Sequence, residues 1–220
     1  MNKKLIFDFL EDLSNNNSKV WMDKNRDRYK QAKNIWLNEI ALMLNRLAKY
    51  DERLRPVQPK DTITRINNNR KFHPDRPVYK DNFTFTPFGG ISSASFHVSI
   101  SPSYSFIGGG VYHPSPDDLQ KIREAIDYDG SELLKITQEK KFTKIFGGLN
   151  DDPDKLKSAP KGFPKDHKHI ELLRRKNFTA IVEITKDQVI ADSFADYIEK
   201  MFLVLKPMMD YLNRAISFEE

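Results

Sequence analysis

The middle of the chain reads Phe96-His-Val-Ser-Ile-Ser-Pro-Ser-Tyr-Ser-Phe-Ile-Gly-Gly-Gly-Val-Tyr112. Apolar and polar residues alternate as far as Ser101, which is the period of a β-strand, and Pro102-Ser103 is typical of a turn. A second extended arm follows, with three consecutive glycines. The stretch therefore predicts an antiparallel hairpin. Its alternating polar residues predict a sheet that is packed on one face only.

On both sides of this hairpin the sequence contains segments with the period of a strand and segments with the period of a helix. Residues 62–66, 82–86 and 178–184 have the composition of short strands, whereas apolar residues recur at helical spacing near both ends of the chain. Ser115 followed by Pro116 predicts the start of a helix, and Asp129-Gly130 predicts its end. We therefore expect a single α+β domain over residues 1–220, with an antiparallel sheet, a central hairpin and flanking helices from the N- and C-terminal parts of the chain.

Composition narrows the class of protein. The chain has no cysteine, which excludes disulfides, thiolate metal ligands and a cysteine nucleophile, and which fits a reducing cytoplasm. Asp8 and Glu11 interrupt the apolar run near the start before it reaches the length of a signal-peptide core. No segment approaches the run of about 18 apolar residues that a membrane span needs. The sequence predicts a cytoplasmic protein with no membrane partner.

Positive charge is concentrated in two segments. Residues 53–80 hold eight Lys or Arg against two acids, and so do residues 155–176, while the whole chain carries a net charge of +5. The rest of the sequence is therefore acidic. If the two segments meet in the fold, they form a positive face that attracts anions.

Residues 65–80 show neither a helical nor a strand period, and they mix cations with asparagines. The candidate ligand-binding residues are Arg65, Asn67, Arg70, Lys71, Arg76, Tyr79 and Lys80. Guanidinium and ammonium groups bind phosphate or carboxylate, and asparagine adds neutral donors. Tyr79 is a candidate for stacking on a base or a sugar. The same composition is also typical of a solvated loop, in which the arginines pair with Asp61 or Asp75 and the aromatic residue anchors the loop to the core.

Histidines supply the candidates for catalysis. In Asp166-His167-Lys-His169 the aspartate could orient His167 for acid–base chemistry near neutral pH. His97, on the polar face of its strand, is a second candidate for proton transfer or ligand contact. A metal site at His167 and His169 would need a third ligand that the local sequence does not contain, so no metal is predicted and no cofactor is identified. The alternative is a pair of solvent-facing histidines, or an aspartate that caps the following helix.

In the stretch from residue 65 to residue 80 the sequence resembles domain-of-unknown-function family 2461, a bacterial family without an established activity. The matching positions are Arg65, Ile66, Phe72, Asp75, Tyr79 and Lys80. The likeness covers nearly the whole chain, and it includes the arm from Ser105 to Gly110 and the closing helix around Pro207. The chain departs from the family pattern at Asn68-Asn69, where the family has Arg-Asp. Asn69 supplies neither a general base nor a negative charge. The resemblance implies a shared fold and a set of positions, without a mechanism.

Together these features predict binding of a phosphate- or carboxylate-bearing small molecule in a basic cleft, with His167 or His97 as the proton-transfer residue if the protein is an enzyme. Two other classes remain open. The two basic segments could form a phosphate-binding footprint for nucleic acid, although no nucleic-acid-binding motif is present. A basic patch could instead contact an acidic protein. The sequence makes no prediction of oligomeric state.

Overall fold

The computed structural model describes residues 2–88 and 93–218. In chain order the described elements are α1 (Lys4–Asn15), α2 (Lys19–Lys24), α3 (Arg26–Leu47), β1 (Phe83–Phe85), β2 (Ser95–Ile100), β3 (Ser105–Val111), α4 (Pro116–Thr137), α5 (Lys140–Phe146), α6 (Ile170–Leu173), β4 (Phe178–Ile184), α7 (Lys186–Ile190) and α8 (Phe194–Ser217). Two short 3-10 helices, Glu52–Leu54 and Pro59–Thr62, follow α3. The fold is α+β, as the sequence predicts.

The four strands form one antiparallel sheet in the order β1-β2-β3-β4. Strand β1 pairs with β2 in a register that places Phe83 opposite Ile100 and Phe85 opposite Val98. The predicted hairpin is therefore β2–β3, in the middle of the sheet. Helices precede the sheet and close the chain after it, which agrees with the predicted arrangement.

The prediction that the sheet is packed on one face only is wrong. Ser99 is 4% exposed and Ser101 is 7% exposed, so the polar face of β2 is covered at these positions. Their hydroxyl groups tolerate burial because each is hydrogen-bonded. Asn82 Nδ2 donates to Ser99 Oγ at 2.9 Å, and Ser101 Oγ lies 3.1 Å from the hydroxyl of Ser103.

The predicted start of α4 is confirmed, since Ser115 Oγ accepts a hydrogen bond from the Asp118 N–H at 3.1 Å. Helical backbone is interrupted at Asp129, as the sequence indicates, but it resumes at once and reaches Thr137. The strand predicted at residues 62–66 is wrong. Pro59 starts a 3-10 turn, in which Thr62 Oγ1 donates to the Pro59 carbonyl at 2.8 Å, and irregular backbone follows.

The chain divides into two compact units. Unit 1 is formed by Met1–Pro87, His97–Ile107 and Glu183–Lys200, and unit 2 by Phe88–Phe96, Gly108–Val182 and Met201–Glu220. The predicted basic segments belong to different units. That they share one face, and that the whole chain is a single domain, stay predictions.

The core of unit 1 is built from helices on the apolar side of β1. The rings of Phe9 and Phe83 stack with centroids 6.4 Å apart, and Trp36 Nε1 donates to the Thr84 carbonyl at 2.9 Å. Trp36 and Phe9 are each 1% exposed. Their contacts with Thr84 and Phe83 therefore pack α1 and α3 tightly against β1. This strand lies directly after the segment that carries the predicted binding residues.

Unit 2 contains a close approach between β3 and β4. A Cβ at Gly110 would lie 1.9 Å from the Phe178 carbonyl oxygen, and the residue has a φ of +120°. Only glycine fits both the space and the backbone conformation. The three glycines of the hairpin arm therefore include one that is required by strand packing, and not by a phosphate loop.

Within residues 2–88 and 93–218, no helix is both long enough and apolar enough to cross a membrane.

Candidate functional site

Residues 65–80 form a small irregular hairpin in unit 1, which we call the basic hairpin. Asn67 and Tyr79 make an antiparallel bridge at its base. The Lys80 N–H donates to the Ile66 carbonyl at 2.7 Å, and the Asn68 N–H donates to the Val78 carbonyl at 3.1 Å. The backbone between these pairs turns without regular structure. A segment without a sequence period thus acquires a defined geometry.

The amide side chain of Asn17 holds the hairpin in place. Its Nδ2 donates to the Tyr79 carbonyl at 3.0 Å, and its Oδ1 accepts the Tyr79 N–H at 2.9 Å. Asn17 lies in the turn between α1 and α2, so these two hydrogen bonds connect the hairpin to the helices of unit 1. Ile66 and Tyr79 are 7% and 5% exposed. Burial of these two side chains anchors the base of the hairpin in the core of unit 1.

A cleft of about 360 Å³ opens beside the hairpin. Its lining residues come from the end of α1, from the hairpin and from the residues before β1. They are Ser14, Asn17, Asn68, Arg76, Pro77, Tyr79, Lys80, Asp81 and Asn82. The lining contains two cations, one carboxylate and three asparagine amides, so it is rich in groups that hold a polar ligand.

The cations at this cleft repel one another. Partial burial lowers the pKa of Lys80, and the positive charges of Arg65 and Arg76 lower it further. None of the ion pairs among the described residues includes Arg65, Arg76 or Lys80. Asp61 and Asp75, the acids that a solvated loop would use, are likewise absent from those pairs. The three cations therefore form a cluster whose charge is not neutralised by a salt bridge.

The structure divides the predicted binding residues into two groups. Arg76, Tyr79 and Lys80 line the cleft, and Arg65 lies within electrostatic reach of Lys80. Asn67 is exposed at the bridge. Tyr79 is buried, which favours the role of an anchor over that of a stacking surface.

The remaining predicted cations belong to the turn of the hairpin, and the cleft lining does not include them. The guanidinium of Arg70 donates to the Pro74 carbonyl at 3.0 Å. Lys71 Nζ lies 5.6 Å from the ring centre of Phe72, which is 70% exposed. Both cations thus have local partners within the turn, and the structure gives them no contact with the cleft.

Several lining residues were missed by the sequence analysis. Asn17 and Asn68 look like ordinary turn residues in the sequence, Asn82 begins a predicted strand, and Ser14 ends an apolar helix pattern. Only Asn68 lies inside the segment that the charge pattern marks, and Asn82 follows that segment by two residues. Ser14 and Asn17 are brought to the hairpin by contacts that span tens of residues, which a local pattern does not contain.

His167 lies in unit 2 and is oriented by Asp127 rather than by Asp166. Its Nε2 lies 3.1 Å from Asp127 Oδ1, and its Nδ1 accepts the His169 N–H at 3.0 Å. Both ring nitrogens are therefore engaged, so the geometry assigns His167 a structural role in holding residues 167–169. Asp166 is exposed.

His169 is 7% exposed, and its ring lies against Gly130, where a Cβ would come within 2.7 Å of the imidazole. Its Nε2 is 3.3 Å from Ser131 Oγ, while its buried Nδ1 has no hydrogen-bond partner. Burial lowers the pKa of His169, and the charges of Lys168 and His167 add to this effect, against Asp129. Among the residues that the structure describes, no three His, Asp or Glu side chains are grouped so that they could hold a metal ion.

His97 lies in unit 1, on β2. Its Nδ1 is 2.7 Å from Thr86 Oγ1, and the hydrogen bonds of the described residues leave its Nε2 without a partner. Burial lowers its pKa, because a buried position disfavours the charged imidazolium. Of the histidines that the sequence nominates, His97 alone combines a fixed ring with an available nitrogen within the described structure.

The second basic segment, residues 155–176, lies in unit 2 and uses its arginines structurally. Arg174 pairs with Glu171 at 3.0 Å and donates to the Leu156 carbonyl at 2.5 Å. Arg175 donates to the Asn177 carbonyl at 3.0 Å and also to the Asn150 carbonyl. Lys155 forms a salt bridge with Glu171. The cations that remain are solvent-exposed lysines at positions 157, 161, 165, 168 and 176.

Comparison with known proteins gives one match. The family model described as "Conserved hypothetical protein (DUF2461)" matches residues 5–211, which is nearly the whole chain. No curated protein and no solved structure matches the sequence or the fold.

Proposed function

The chain belongs to the conserved hypothetical protein family DUF2461, and we propose that it binds a phosphate- or carboxylate-bearing small molecule in the cleft beside the basic hairpin. The observation that carries this proposal is that Arg76 and Lys80 line one cleft and that no ion pair among the described residues includes them or Arg65. Partial burial lowers the pKa of Lys80, and the charges of Arg65 and Arg76 lower it further. Like charges held together without carboxylate partners raise the energy of the unliganded protein. A bound anion removes that repulsion.

The chemistry of the lining fits such a ligand. Arginine presents a planar fork of donors to phosphate or carboxylate, and lysine adds a compact charge. The amides of Asn68 and Asn82 provide neutral donors and acceptors. Asp81, the one carboxylate of the lining, disfavours a ligand that is anionic throughout. It favours a molecule that carries hydroxyl or amino groups beside its anionic group.

If the bound molecule is also transformed, His97 is the candidate for proton transfer, because its Nε2 is available and its Nδ1 is fixed by Thr86. His167 uses both ring nitrogens in contacts within unit 2. We also propose a cytoplasmic location, which the complete absence of cysteine supports.

The proposal is tested by thermal unfolding in the presence of inorganic phosphate, sugar phosphates, dicarboxylic and tricarboxylic acids, and short oligonucleotides. Each compound is added at low and at high salt. A small anion that binds only the folded state raises the melting temperature, and the rise grows with the logarithm of its concentration above the dissociation constant. We expect the rise to be lost in Arg76→Ala and Lys80→Ala and kept in Lys168→Ala, which removes an exposed lysine of the second basic segment.

Two results contradict the proposal. Equal shifts in Lys80→Ala and Lys168→Ala would mean that the anion acts through general screening and not through the cleft. Shifts with oligonucleotides only, at low salt, would assign the basic hairpin to nucleic acid.

A further inference from the structure

The cleft beside the basic hairpin carries hydrogen-bond acceptors that have no partner among the described residues. The half-buried carboxylate of Asp81 makes neither a hydrogen bond nor an ion pair. Asn68 Nδ2 donates to the Pro77 carbonyl at 2.9 Å, and because a carbonyl only accepts, this contact fixes the orientation of the amide and leaves Asn68 Oδ1 without a donor. Asn82 Nδ2 donates to Ser99 Oγ at 2.9 Å, which leaves Asn82 Oδ1 in the same state. Three side chains of the lining thus offer oxygens for solvent or a ligand to use.

These acceptors share one lining with the cations. Arg76 and Lys80 line the cleft together with Asp81, yet Asp81 forms a salt bridge with neither. The lining therefore has a cationic part, which attracts an anion, and a part rich in acceptors, which binds hydrogen-bond donors. A ligand that fits both parts combines an anionic group with several donors.

Hydroxyl groups fit the acceptors better than an ammonium group does. An ammonium group is repelled by Arg76 and Lys80, and all of its N–H groups belong to a single nitrogen. Hydroxyl groups are neutral, and several of them in one molecule reach acceptors on different side chains. Each hydroxyl also accepts hydrogen bonds, so it can use the second amide N–H of Asn68 or Asn82.

The size and the charge of the cleft narrow the ligand further. Its volume of about 360 Å³ lies at the lower end of the range of about 300–1,000 Å³ for ligand sites. Tyr79 is the one aromatic residue of the described lining and is 5% exposed, so no ring face is open to a nucleotide base. Arg76 and Lys80, with Arg65 in electrostatic reach, outweigh the single carboxylate of Asp81. This excess of positive charge suits a phosphate group, whose charge is about −1.5 to −2 at pH 7, better than a carboxylate.

We propose that the ligand of the cleft is a phosphorylated sugar or polyol, with its phosphate at Arg76 and Lys80. Its hydroxyl groups are bound by Asp81, Asn68 and Asn82. This inference rests on the proposed function, because the phosphate occupies the same cation cluster. Asp81 then determines specificity, since its carboxylate repels a phosphate group and accepts hydrogen bonds from hydroxyl groups.

Isothermal titration calorimetry with four probes tests this inference. The probes are ribose 5-phosphate, inorganic phosphate, phosphoethanolamine, which carries an ammonium group in place of the hydroxyl groups, and gluconate, which carries a carboxylate in place of the phosphate. We expect ribose 5-phosphate to bind about tenfold more tightly than inorganic phosphate, because the two share the phosphate contacts and the hydroxyl contacts are added. It should also bind more tightly than the other two probes.

The matched variants are Asp81→Ala and Asp75→Ala, which each remove one carboxylate. Asp75 is an exposed acid of the basic hairpin that does not line the cleft. The quantity compared is the ratio of the affinities for ribose 5-phosphate and inorganic phosphate, because a change in the field at the phosphate group affects both probes and cancels. Asp81→Ala should bind inorganic phosphate about twofold more tightly, while the ratio falls by about fivefold. Asp75→Ala should leave the ratio unchanged.

Asp81→Asn keeps an acceptor but removes the charge, so it should retain part of the ratio and serves as the second variant should Asp81→Ala fail to fold. A ratio that stays unchanged in both Asp81 variants would overturn the role of Asp81.

The Lys80→Ala variant separates the two proposals, since it should weaken both inorganic phosphate and ribose 5-phosphate. If Lys80→Ala weakens inorganic phosphate but ribose 5-phosphate binds no more tightly than inorganic phosphate, the anion site stands and the sugar phosphate assignment is overturned. Tighter binding of phosphoethanolamine or gluconate than of ribose 5-phosphate would overturn the assignment as well. If no probe binds the unmodified protein, both proposals fail.

Discussion

Residues 53–80 and residues 155–176 carry the same net charge, but the basic hairpin at the end of the first segment holds its cations differently from the second segment. In residues 155–176 the two arginines bind backbone carbonyl oxygens, and Arg174 also pairs with Glu171. In the basic hairpin, Arg65, Arg76 and Lys80 form no ion pair with any described residue, and Lys80 has a lowered pKa. Net charge therefore does not distinguish a structural segment from a candidate binding segment. The two segments are distinguished by whether these guanidinium groups have hydrogen-bond or ion-pair partners among the described residues.

Each segment is also held by one polar side chain, which is neutral in the hairpin and charged in the second segment. Asn17 holds the hairpin through a neutral amide that contacts the N–H and the carbonyl of Tyr79. Asp152 holds the second segment through a carboxylate that accepts from the Lys176 and Asn177 N–H groups at 2.6 and 3.0 Å and from Asn177 Nδ2 at 2.9 Å. The neutral amide of Asn17 leaves the positive charge of the hairpin uncompensated. The carboxylate of Asp152 offsets part of the positive charge of the second segment.

The largest effect is expected from Asp152→Ala, because it leaves the buried N–H and side-chain amide of Asn177 and the half-buried N–H of Lys176 without an acceptor. Hydrogen bonds to a charged group contribute about 1.5–3 kcal/mol each. We expect the free energy of unfolding to fall by about 3 kcal/mol, measured by urea denaturation. Asp151→Ala, at an exposed neighbouring position, should cost less than about 0.5 kcal/mol. A decrease of less than about 1 kcal/mol in the free energy of unfolding of Asp152→Ala would contradict the conclusion that Asp152 holds the second segment.

The next largest effect is expected from Asn17→Ala, which removes the two hydrogen bonds to Tyr79. We expect a loss of about 1–2 kcal/mol in unfolding free energy. The anion-induced rise in melting temperature should be reduced as well, because the hairpin is no longer fixed against the cleft. Asn15→Ala is the control, since Asn15 is exposed at the end of α1. If Asn17→Ala retains the full anion-induced rise in melting temperature, Asn17 does not position the cleft residues.

The free energy of unfolding should depend on pH through the buried histidine of unit 2. Burial lowers the pKa of His169, so its contribution to stability is complete above its unfolded pKa of about 6.5 and is lost as the pH falls below that value towards its folded pKa. The slope from one such group is at most about 1.4 kcal/mol per pH unit. His169→Gln should reduce the slope in urea denaturation below pH 6.5. The slope should persist in part, because the pKa of His97 is lowered in the same direction.

His73→Gln is the control for this measurement, since His73 is an exposed residue of the basic hairpin. It should leave the slope as it is. If His169→Gln and His73→Gln have the same slope as the unmodified protein, the buried imidazole of unit 2 does not titrate with folding.

The smallest effects on stability are expected from the cations themselves. Lys80→Ala and Arg65→Ala remove one of several like charges, so the free energy of unfolding should stay within about 0.5 kcal/mol of the unmodified value or rise slightly. Arg174→Ala removes a salt bridge and a hydrogen bond to a carbonyl, and should lower it by about 1 kcal/mol. A clear loss of stability in Lys80→Ala would show that Lys80 has a structural partner, and the contrast between the segments would fail.

Much of the fold follows from local patterns, because helix caps and strand alternation are local interactions. Ser115 caps α4, and the alternation around Val98 marks β2 correctly. The two failures have different physical reasons. The strand predicted at residues 62–66 competes with a proline-initiated turn at Pro59. Ser99 of β2 appears solvent-facing in the sequence, yet it tolerates burial because its hydroxyl group accepts a hydrogen bond from Asn82.

The site was predictable only where it is local. The cations of residues 65–80 stand together in the sequence, so composition identifies them. Asn17 contacts a residue that is 62 positions away, and Asp127 reaches His167 from α4, 40 residues earlier in the chain. The sequence nominated Asp166 for that role because it is the neighbour of His167. The choice between Asp127 and Asp166 depends on the packing of α4, which no local pattern contains.

We propose that the charge of the hairpin cluster stays uncompensated until an anion binds. Heteronuclear NMR of ¹³C-labelled lysine side chains measures this directly through the pKa of Lys80, assigned with the Lys80→Arg variant. Without an anion the pKa should lie below the ordinary lysine value, and it should increase in Arg65→Ala, which removes one repelling charge. Inorganic phosphate should raise it as well. A Lys80 pKa at the ordinary value that responds neither to phosphate nor to Arg65→Ala would contradict the account.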